Sequence, residues 1–62
     1  MKKFEAEVAE TETKSYIHTC FAKDEKEARE MFERGETAKG QFVKNHGVIN
    51  REIVWGSFVR ID

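Results

Sequence analysis

Residues 15–28 read "SYIHTCFAKDEKEA", and this stretch decides the fold. Residues 15–22 are rich in β-branched and aromatic side chains, which favour a β-strand. Asp24 can accept a hydrogen bond from the free amides of a first helical turn, and Glu27 three positions later completes an acidic capping box. The stretch therefore predicts a strand that leads directly into a capped helix.

The helix is predicted to span residues 25–34. Ala28, Met31 and Phe32 follow the i, i+3, i+4 spacing of one apolar helix face. Gly35 comes directly after the last predicted helical residue, and glycine is the usual helix stop. The sequence therefore predicts one main helix of about three turns.

A second strand is predicted before this joint, within residues 3–12. Phe4, Ala6 and Val8 alternate with charged side chains, which is the period of a strand with one solvated face. The polar segment 11–14 predicts a turn, although it lacks Gly, Asn and Pro and its type stays open. Two strands with a short polar connection indicate a hairpin.

The second half of the chain is less regular. Residues 37–46 fit a short second helix or a loop with one helical turn, and both interpretations stay open. Residues 48–61 predict a strand, in which Gly56 marks a bulge or a tight bend. Two inward-facing sets are compatible with such a glycine: Phe58 with Arg60, or Val59 with Ile61.

Length and composition limit the architecture. A chain of 62 residues with 39% hydrophobic side chains makes one domain, residues 1–62, and buries a core with little margin. We expect an α+β fold, a small antiparallel sheet of three or four strands with the helix at about 25–34 packed on one face. The longest stretch free of charged side chains is eight residues, too short for a membrane span. One cysteine and no signal sequence favour a cytoplasmic protein.

The buried face of the 15–22 strand is ambiguous. Hydrophobicity favours burial of Ile17 and Phe21, which share one face of an extended chain. His18 and Cys20 share the other face. A strand with two partly apolar faces is either central in its sheet or leaves one face free to bind a partner.

His18 and Cys20 also raise the question of a chemical site. A histidine beside a thiol can bind a metal or act as a base with a nucleophile. Neighbours at i and i+2 on a strand stand about 7 Å apart, which is too far for a hydrogen bond. The sequence also lacks a glycine-rich phosphate loop, an HExxH motif and a serine elbow. We therefore expect no catalytic residues, no metal site, no cofactor and no enzymatic activity.

Acidic residues are concentrated in the first half of the chain. They suggest a protein-binding surface that mimics nucleic-acid phosphate, although the carboxylates on the helix also fit ordinary i, i+4 ion pairs with lysine and arginine. The candidate residues of this acidic surface are Glu5, Glu7, Glu30 and Glu33.

Basic residues dominate after residue 37 and alternate with aromatic ones. Such a mixture can bind single-stranded nucleic acid through phosphate contacts and base stacking. The net charge of −1 argues against this alternative, since nucleic-acid-binding domains are usually basic. The candidate residues are Lys44, Arg51, Trp55 and Arg60.

The order of features in residues 3–36 resembles the DpnD/PcfM-like family of small phage and plasmid proteins. The matching stretches are Glu10-Thr11, Ala22-Lys23-Asp24, Glu27-Ala28 and Gly35-Glu36. The family ends soon after one further strand, whereas this chain carries an additional "TAKGQFVKNHGVIN" before its last strand. The resemblance implies that Cys20 and His18 face the helix. It implies no catalytic residues, and it implies an origin in a phage or mobile element.

Together these observations predict a protein-binding module rather than an enzyme. The resemblance implies a host or defence-system protein as the partner, in the host cytoplasm, bound in the manner of an anti-CRISPR inhibitor. An exposed sheet edge would also allow a homodimer. The alternative is a small nucleic-acid-binding accessory protein that uses the basic and aromatic second half.

Overall fold

The computed structural model describes residues 1–10, 12–47 and 50–62. The strands form one antiparallel sheet in the order β3-β2-β1-β4. The predicted fold class, an α+β protein with a small antiparallel sheet and one main helix, is confirmed. The elements are β1 (Lys2–Ala9), β2 (Lys14–Ala22), α1 (Glu25–Arg34), β3 (Ala38–Asn45) and β4 (Glu52–Arg60).

β1 and β2 form the predicted hairpin. The Glu10 amide donates to the Lys14 carbonyl at 2.8 Å, and the Thr13 amide donates to the Glu10 carbonyl at 3.1 Å. Thr13 has a φ of 64°, a left-handed conformation that residues other than glycine seldom adopt. The turn thus closes without the glycine or asparagine that would have identified its type. Thr11, part of the predicted turn, lies outside the described residues.

α1 begins and ends where the sequence predicts. The Asp24 carboxylate accepts from the Glu27 amide at 2.8 Å, and the Glu27 carboxylate accepts from the Lys23 amide at 3.0 Å. These reciprocal bonds form the capping box. At the other end Gly35 has a φ of 78°, and its amide donates to carbonyls of the last turn.

One face of the sheet carries the buried cluster, and we call it the core face. Its strand residues share this face because the hairpin register pairs Phe4 with Cys20 and Ala6 with His18. The helix residues Ala28 and Phe32 are fully buried in the same cluster. Its members are Phe4, Ala6, Val8, Cys20, Ala22, Ala28 and Phe32.

β2 buries the face opposite to the one that hydrophobicity favours. Phe21 is 55% exposed, whereas His18 and Cys20 are 7% and 6% exposed. Of the two placements that the sequence leaves open, the one that turns His18 and Cys20 inward is observed. The cause is register: Phe4 is buried on β1, and a cross-strand neighbour must lie on the same face.

Residues 38–45 form β3, so both interpretations of 37–46, as a helix and as a loop with a helical turn, are wrong. β3 is an edge strand that pairs with β2, and all eight of its residues are exposed. Its adjacent apolar residues Phe42 and Val43 break the alternation that identifies a strand. Pairing with β2 outweighs this local pattern, since it gives both backbones hydrogen-bond partners.

β4 contains the predicted bulge near Gly56. Glu5 of β1 pairs with Val59, and Glu7 pairs with Val54, so β4 uses three more residues than β1 between these pairs. The strand is shorter than the predicted 48–61, because it begins at Glu52. Val48 and Ile49 of that prediction lie outside the described residues.

The bulge places two aromatic rings of β4 on the core face. The Phe32 ring meets Phe58 at 5.8 Å and Trp55 at 6.3 Å between centroids, both edge to face. Of the two inward-facing sets left open by the sequence, the one with Phe58 is observed. Val59 and Ile61 remain 47% and 41% exposed.

Candidate protein-binding face

The side of the sheet opposite the core face carries a mixed set of apolar and charged side chains. We call it the open face, because Phe21, Val59 and Ile61 are exposed on it. Each member either alternates with core-face residues along its own strand or pairs in the strand register with another residue of the open face. The members of three successive rows are Lys3, Glu5, Glu7, Ile17, Thr19, Phe21, Val54, Val59 and Ile61; in the next row Ala9 and Ser15 are fully buried.

Three successive rows of the open face run across β2, β1 and β4. Each row has one charged residue from β1 at its centre, flanked by residues of the neighbouring strands. The rows are Phe21-Lys3-Ile61, Thr19-Glu5-Val59 and Ile17-Glu7-Val54. A charged column therefore runs between two largely apolar columns.

The apolar columns are most accessible at one end of the face. There Phe21 and Ile61 lie in the same row as Lys3, and Val59 lies in the next. The Lys3 ammonium stands 5.7 Å from the centre of the Phe21 ring, a cation–π contact that leaves most of the ring exposed. A partner would meet an aromatic ring, two branched aliphatic side chains and a cation.

The Glu7 side chain at the other end of the charged column is held in place. The Ser15 hydroxyl donates to the Glu7 carboxylate at 2.7 Å. The Glu7 amide donates to the Ser57 hydroxyl at 2.7 Å, and that hydroxyl donates to the Val54 carbonyl at 2.7 Å. The bulge of β4 thus orders this end, and the carboxylate has a fixed position for binding.

The structure does not bring the predicted acidic surface together. Glu5 and Glu7 lie on the open face. Glu30 and Glu33 are exposed on α1, whose buried residues belong to the core face on the other side of the sheet. Only the two glutamates of β1 therefore contribute to the candidate site.

The predicted basic surface is also divided. Lys44 lies on β3 and Arg60 on β4, the two strands at opposite edges of the sheet. The Arg51 guanidinium donates to the Phe32 carbonyl at 2.7 Å, at the C-terminal end of α1. Trp55 packs against Phe32 on the core face. These four residues form no continuous basic and aromatic platform.

Cys20 belongs to the core rather than to a reactive site. It is buried in the cluster. Burial, followed by the nearby Glu27 carboxylate, raises the pKa of its thiol. A thiol that resists ionisation is a poor nucleophile and a poor metal ligand.

His18 is buried and takes part in a partly exposed polar network that sequence reasoning missed. Its Nδ1 lies 2.8 Å from the Thr37 hydroxyl, and its Nε2 lies 3.2 Å from a Glu10 carboxylate oxygen. The other Glu10 oxygen is 3.0 Å from the Lys39 ammonium. The network joins β2 to the end of β1 and to the start of β3. No sequence signal identifies it, because its members are separated by 8 and 19 positions.

The network also sets the protonation of its members. Burial lowers the pKa of His18; Glu10 opposes this effect, while Arg51 and Lys39 add to it. The hydrogen bond from Lys39 lowers the pKa of Glu10. The lowered pKa values favour a neutral His18 imidazole and an ionised Glu10 carboxylate. The hydrogen bonds to Glu10 and Thr37 then determine which imidazole nitrogen carries the proton. A surface depression on the molecule is lined by residues of a different region: Lys23, Asp24, Lys26, Glu27 and Glu30.

Two further properties concern metals and membranes. The described residues contain no group of three or more His, Cys, Asp or Glu side chains suited to hold a metal ion. Over the same ranges, no helix has the length and apolar character needed to cross a bilayer.

No family model, curated protein or solved structure matches this chain.

Proposed function

We propose that this chain is a non-catalytic protein-binding module that docks through the open face. The single observation that carries the proposal is the 55% exposure of Phe21, in a regular row of the sheet beside Lys3 and Ile61. Contiguous exposed apolar side chains with a polar surround mark interaction sites on small proteins. An aromatic anchor on a rigid strand also loses little conformational entropy on binding.

The chemistry of the open face favours a protein partner. Its column of Lys3, Glu5 and Glu7 carries more negative than positive charge, which disfavours a phosphate backbone. Two apolar columns offer instead the kind of surface that buries a partner's aliphatic and aromatic side chains. Nucleic-acid binding through the basic residues stays a prediction, which the experiment below includes as an outcome.

The resemblance to small phage and plasmid proteins supplies the biological setting of the proposal. In that setting the target is a host or defence-system protein in the host cytoplasm. Binding alone, without chemistry, then inhibits or modulates the target by covering a functional surface. An exposed apolar face on a domain of 62 residues suits this mode of action, because no further machinery is required.

The experiment is an affinity capture from a lysate of the native host, with three forms of the full chain. The wild type is compared with a double variant, Phe21→Ser and Val59→Ser, which removes the apolar anchors of the open face. The matched control is Phe42→Ser, which removes an exposed phenylalanine (47% exposed) on the edge strand β3. Circular dichroism first establishes that all three forms are folded.

The proposal predicts a stoichiometric protein that is retained by the wild type and by the control and lost by the double variant. Capture that is insensitive to the open-face substitutions would overturn it, as would the absence of any stoichiometric protein. A shift of labelled DNA or RNA that weakens steeply with salt would also overturn it, in favour of the nucleic-acid alternative.

A further inference from the structure

We propose that a second copy of this chain docks on the open face, with the two sheets face to face and the two β1 strands antiparallel. The inference rests on the proposed function, because it takes the open face to be a docking surface. In the protein without a bound target, the open face is covered by this second copy. A target protein that binds the same face would then compete with self-association.

The order of the rows makes the open face complementary to itself. A twofold axis that lies between the sheets and runs perpendicular to the strands exchanges the row of Lys3 with the row of Glu7. It superposes the row of Glu5 on its own copy. The same surface is then used twice, as in an isologous dimer.

The charged column pairs correctly in this arrangement and in no parallel one. Lys3 of each copy meets Glu7 of the other, which gives two attractive contacts across the interface. A parallel arrangement would instead place Lys3 on Lys3 and Glu7 on Glu7. The hydrogen bond from Ser15 fixes the Glu7 carboxylate in advance, so less side-chain entropy is lost when it pairs.

The apolar columns meet each other in the same arrangement. Phe21 of β2 covers Ile17 of the second copy, because their rows exchange. On the β4 side Ile61 covers Val54, and Val59 meets its own copy. Side chains that are exposed in one copy thus gain apolar neighbours, which is the main driving force of association.

Two features limit the affinity. Glu5 meets Glu5 of the second copy at the axis, and like charges repel. Three rows on three strands cover roughly 300–500 Å² per copy, whereas stable complexes bury about 800 Å² per partner. The dimer therefore belongs to the weak, transient class, and target binding can displace it.

The edges of the sheet are less suited to pair with a second copy than the open face. β3 has two register shifts against β2, and β4 has one against β1. Such bulges twist an edge strand and interrupt the regular row of donors and acceptors that strand addition requires. Two of the three columns of the open face, by contrast, follow the uninterrupted register of β1 and β2.

The test is sedimentation equilibrium of the full chain from micromolar to millimolar concentration, at low ionic strength. The wild type is expected to self-associate. Lys3→Glu alone and Glu7→Lys alone are each expected to weaken the dimer by about tenfold, since both attractive contacts become repulsive. The double charge swap restores the contacts and is expected to recover the wild-type affinity within about threefold. Glu5→Gln is expected to tighten the dimer, because it removes the repulsion between the two Glu5 side chains at the axis.

Lys26→Glu on α1 is the matched control, because it makes the same charge change on an exposed residue away from the open face. Circular dichroism at dilute concentration checks that Glu7→Lys folds without its bond from Ser15. Lys3→Glu breaks no such bond, so it keeps the test decisive if Glu7→Lys does not fold.

A wild type that stays monomeric at millimolar concentration would overturn the inference, as would a double swap that does not restore the affinity of the single variants. The two proposals fail separately. A monomeric chain that still captures a target through Phe21 and Val59 contradicts only the dimer. A dimer that captures nothing contradicts only the proposed function.

Discussion

The two faces of β2 have opposite relations between hydrophobicity and burial. The core face holds a half-buried tyrosine and a histidine, a cysteine and an alanine that are all buried. The open face holds Ile17 and Phe21, yet Phe21 is among the most exposed apolar side chains of the described residues. The strand thus buries its less hydrophobic face.

The difference shows that register outweighs side-chain hydrophobicity in so small a sheet. Ala6 of β1 is fully buried, and it places His18 opposite itself on the same face. The polar ring is tolerated there because both of its nitrogens have hydrogen-bond partners. Phe21 is left outside, where its apolar surface is available to a partner.

The largest expected effect comes from emptying the core face. Phe32 is fully buried against Phe58 and Trp55, and Phe32→Ala is expected to cost about 3–5 kcal/mol of unfolding free energy. A domain of this size has only a few kcal/mol of stability, so we expect this variant to be largely unfolded. Urea denaturation followed by circular dichroism measures the effect.

A milder substitution keeps this prediction quantitative. Phe32→Leu should remain folded and lose about 1 kcal/mol, since it removes fewer contacts from the same position. If Phe32→Ala retained the stability of the wild type, the buried cluster would not be what stabilises the sheet. The difference in burial between the two faces of the sheet would then not account for the stability of the fold.

Local signals were sufficient for the first half of the chain. The alternation of Phe4, Ala6 and Val8 predicted β1, the β-branched and aromatic residues of 15–22 predicted β2, and the caps predicted α1 with its bounds. The orientation of β2 depends on the length of the turn: a four-residue turn at 11–14 would pair Val8 with Ile17, whereas the observed register pairs Val8 with Tyr16 and turns His18 inward. The segment 11–14 has no Gly, Asn or Pro that would fix the turn length, so the sequence leaves this one-residue difference in register open.

The second half could not be predicted in the same way. β3 forms a strand because its backbone pairs with β2. The adjacent apolar residues Phe42 and Val43 give no alternation that would predict a strand. The open face likewise appears only when strands distant in sequence are placed side by side: Val54 and Val59 reach Glu7 and Glu5 through a bulge that the sequence marks only with Gly56. Non-local pairing decides both features.

An intermediate effect is expected from pH, through the buried imidazole of the core face. The pKa of His18 is lower in the folded protein than its usual value of 6.5, so the unfolded chain binds the proton more tightly. The contribution of His18 is therefore fully present above pH 6.5 and is lost as the pH falls below that value, with a slope of at most about 1.4 kcal/mol per pH unit. Urea denaturation at a series of pH values between 8 and 5 measures it.

The variant His18→Gln isolates this effect. It keeps a polar side chain beside Glu10 and Thr37 but removes the titration, so the slope below pH 6.5 should become shallower. Glu10, whose pKa is lowered chiefly by Lys39, contributes a separate loss only below about pH 4.5. An unchanged slope in His18→Gln would show that the polar network is not what couples stability to protons.

The smallest effect on the isolated chain is expected on the open face. Phe21 is 55% exposed, and its replacement removes its cation–π contact with Lys3, so Phe21→Ser at micromolar concentration should change the unfolding free energy by about 0.5 kcal/mol or less. At millimolar concentration the two forms should differ, because a bound copy raises the melting temperature only when the face is intact. Thermal melts at both concentrations provide the measurement. A large loss of stability already at micromolar concentration would mean that Phe21 stabilises the single chain. The exposure of Phe21 would then not indicate a binding surface.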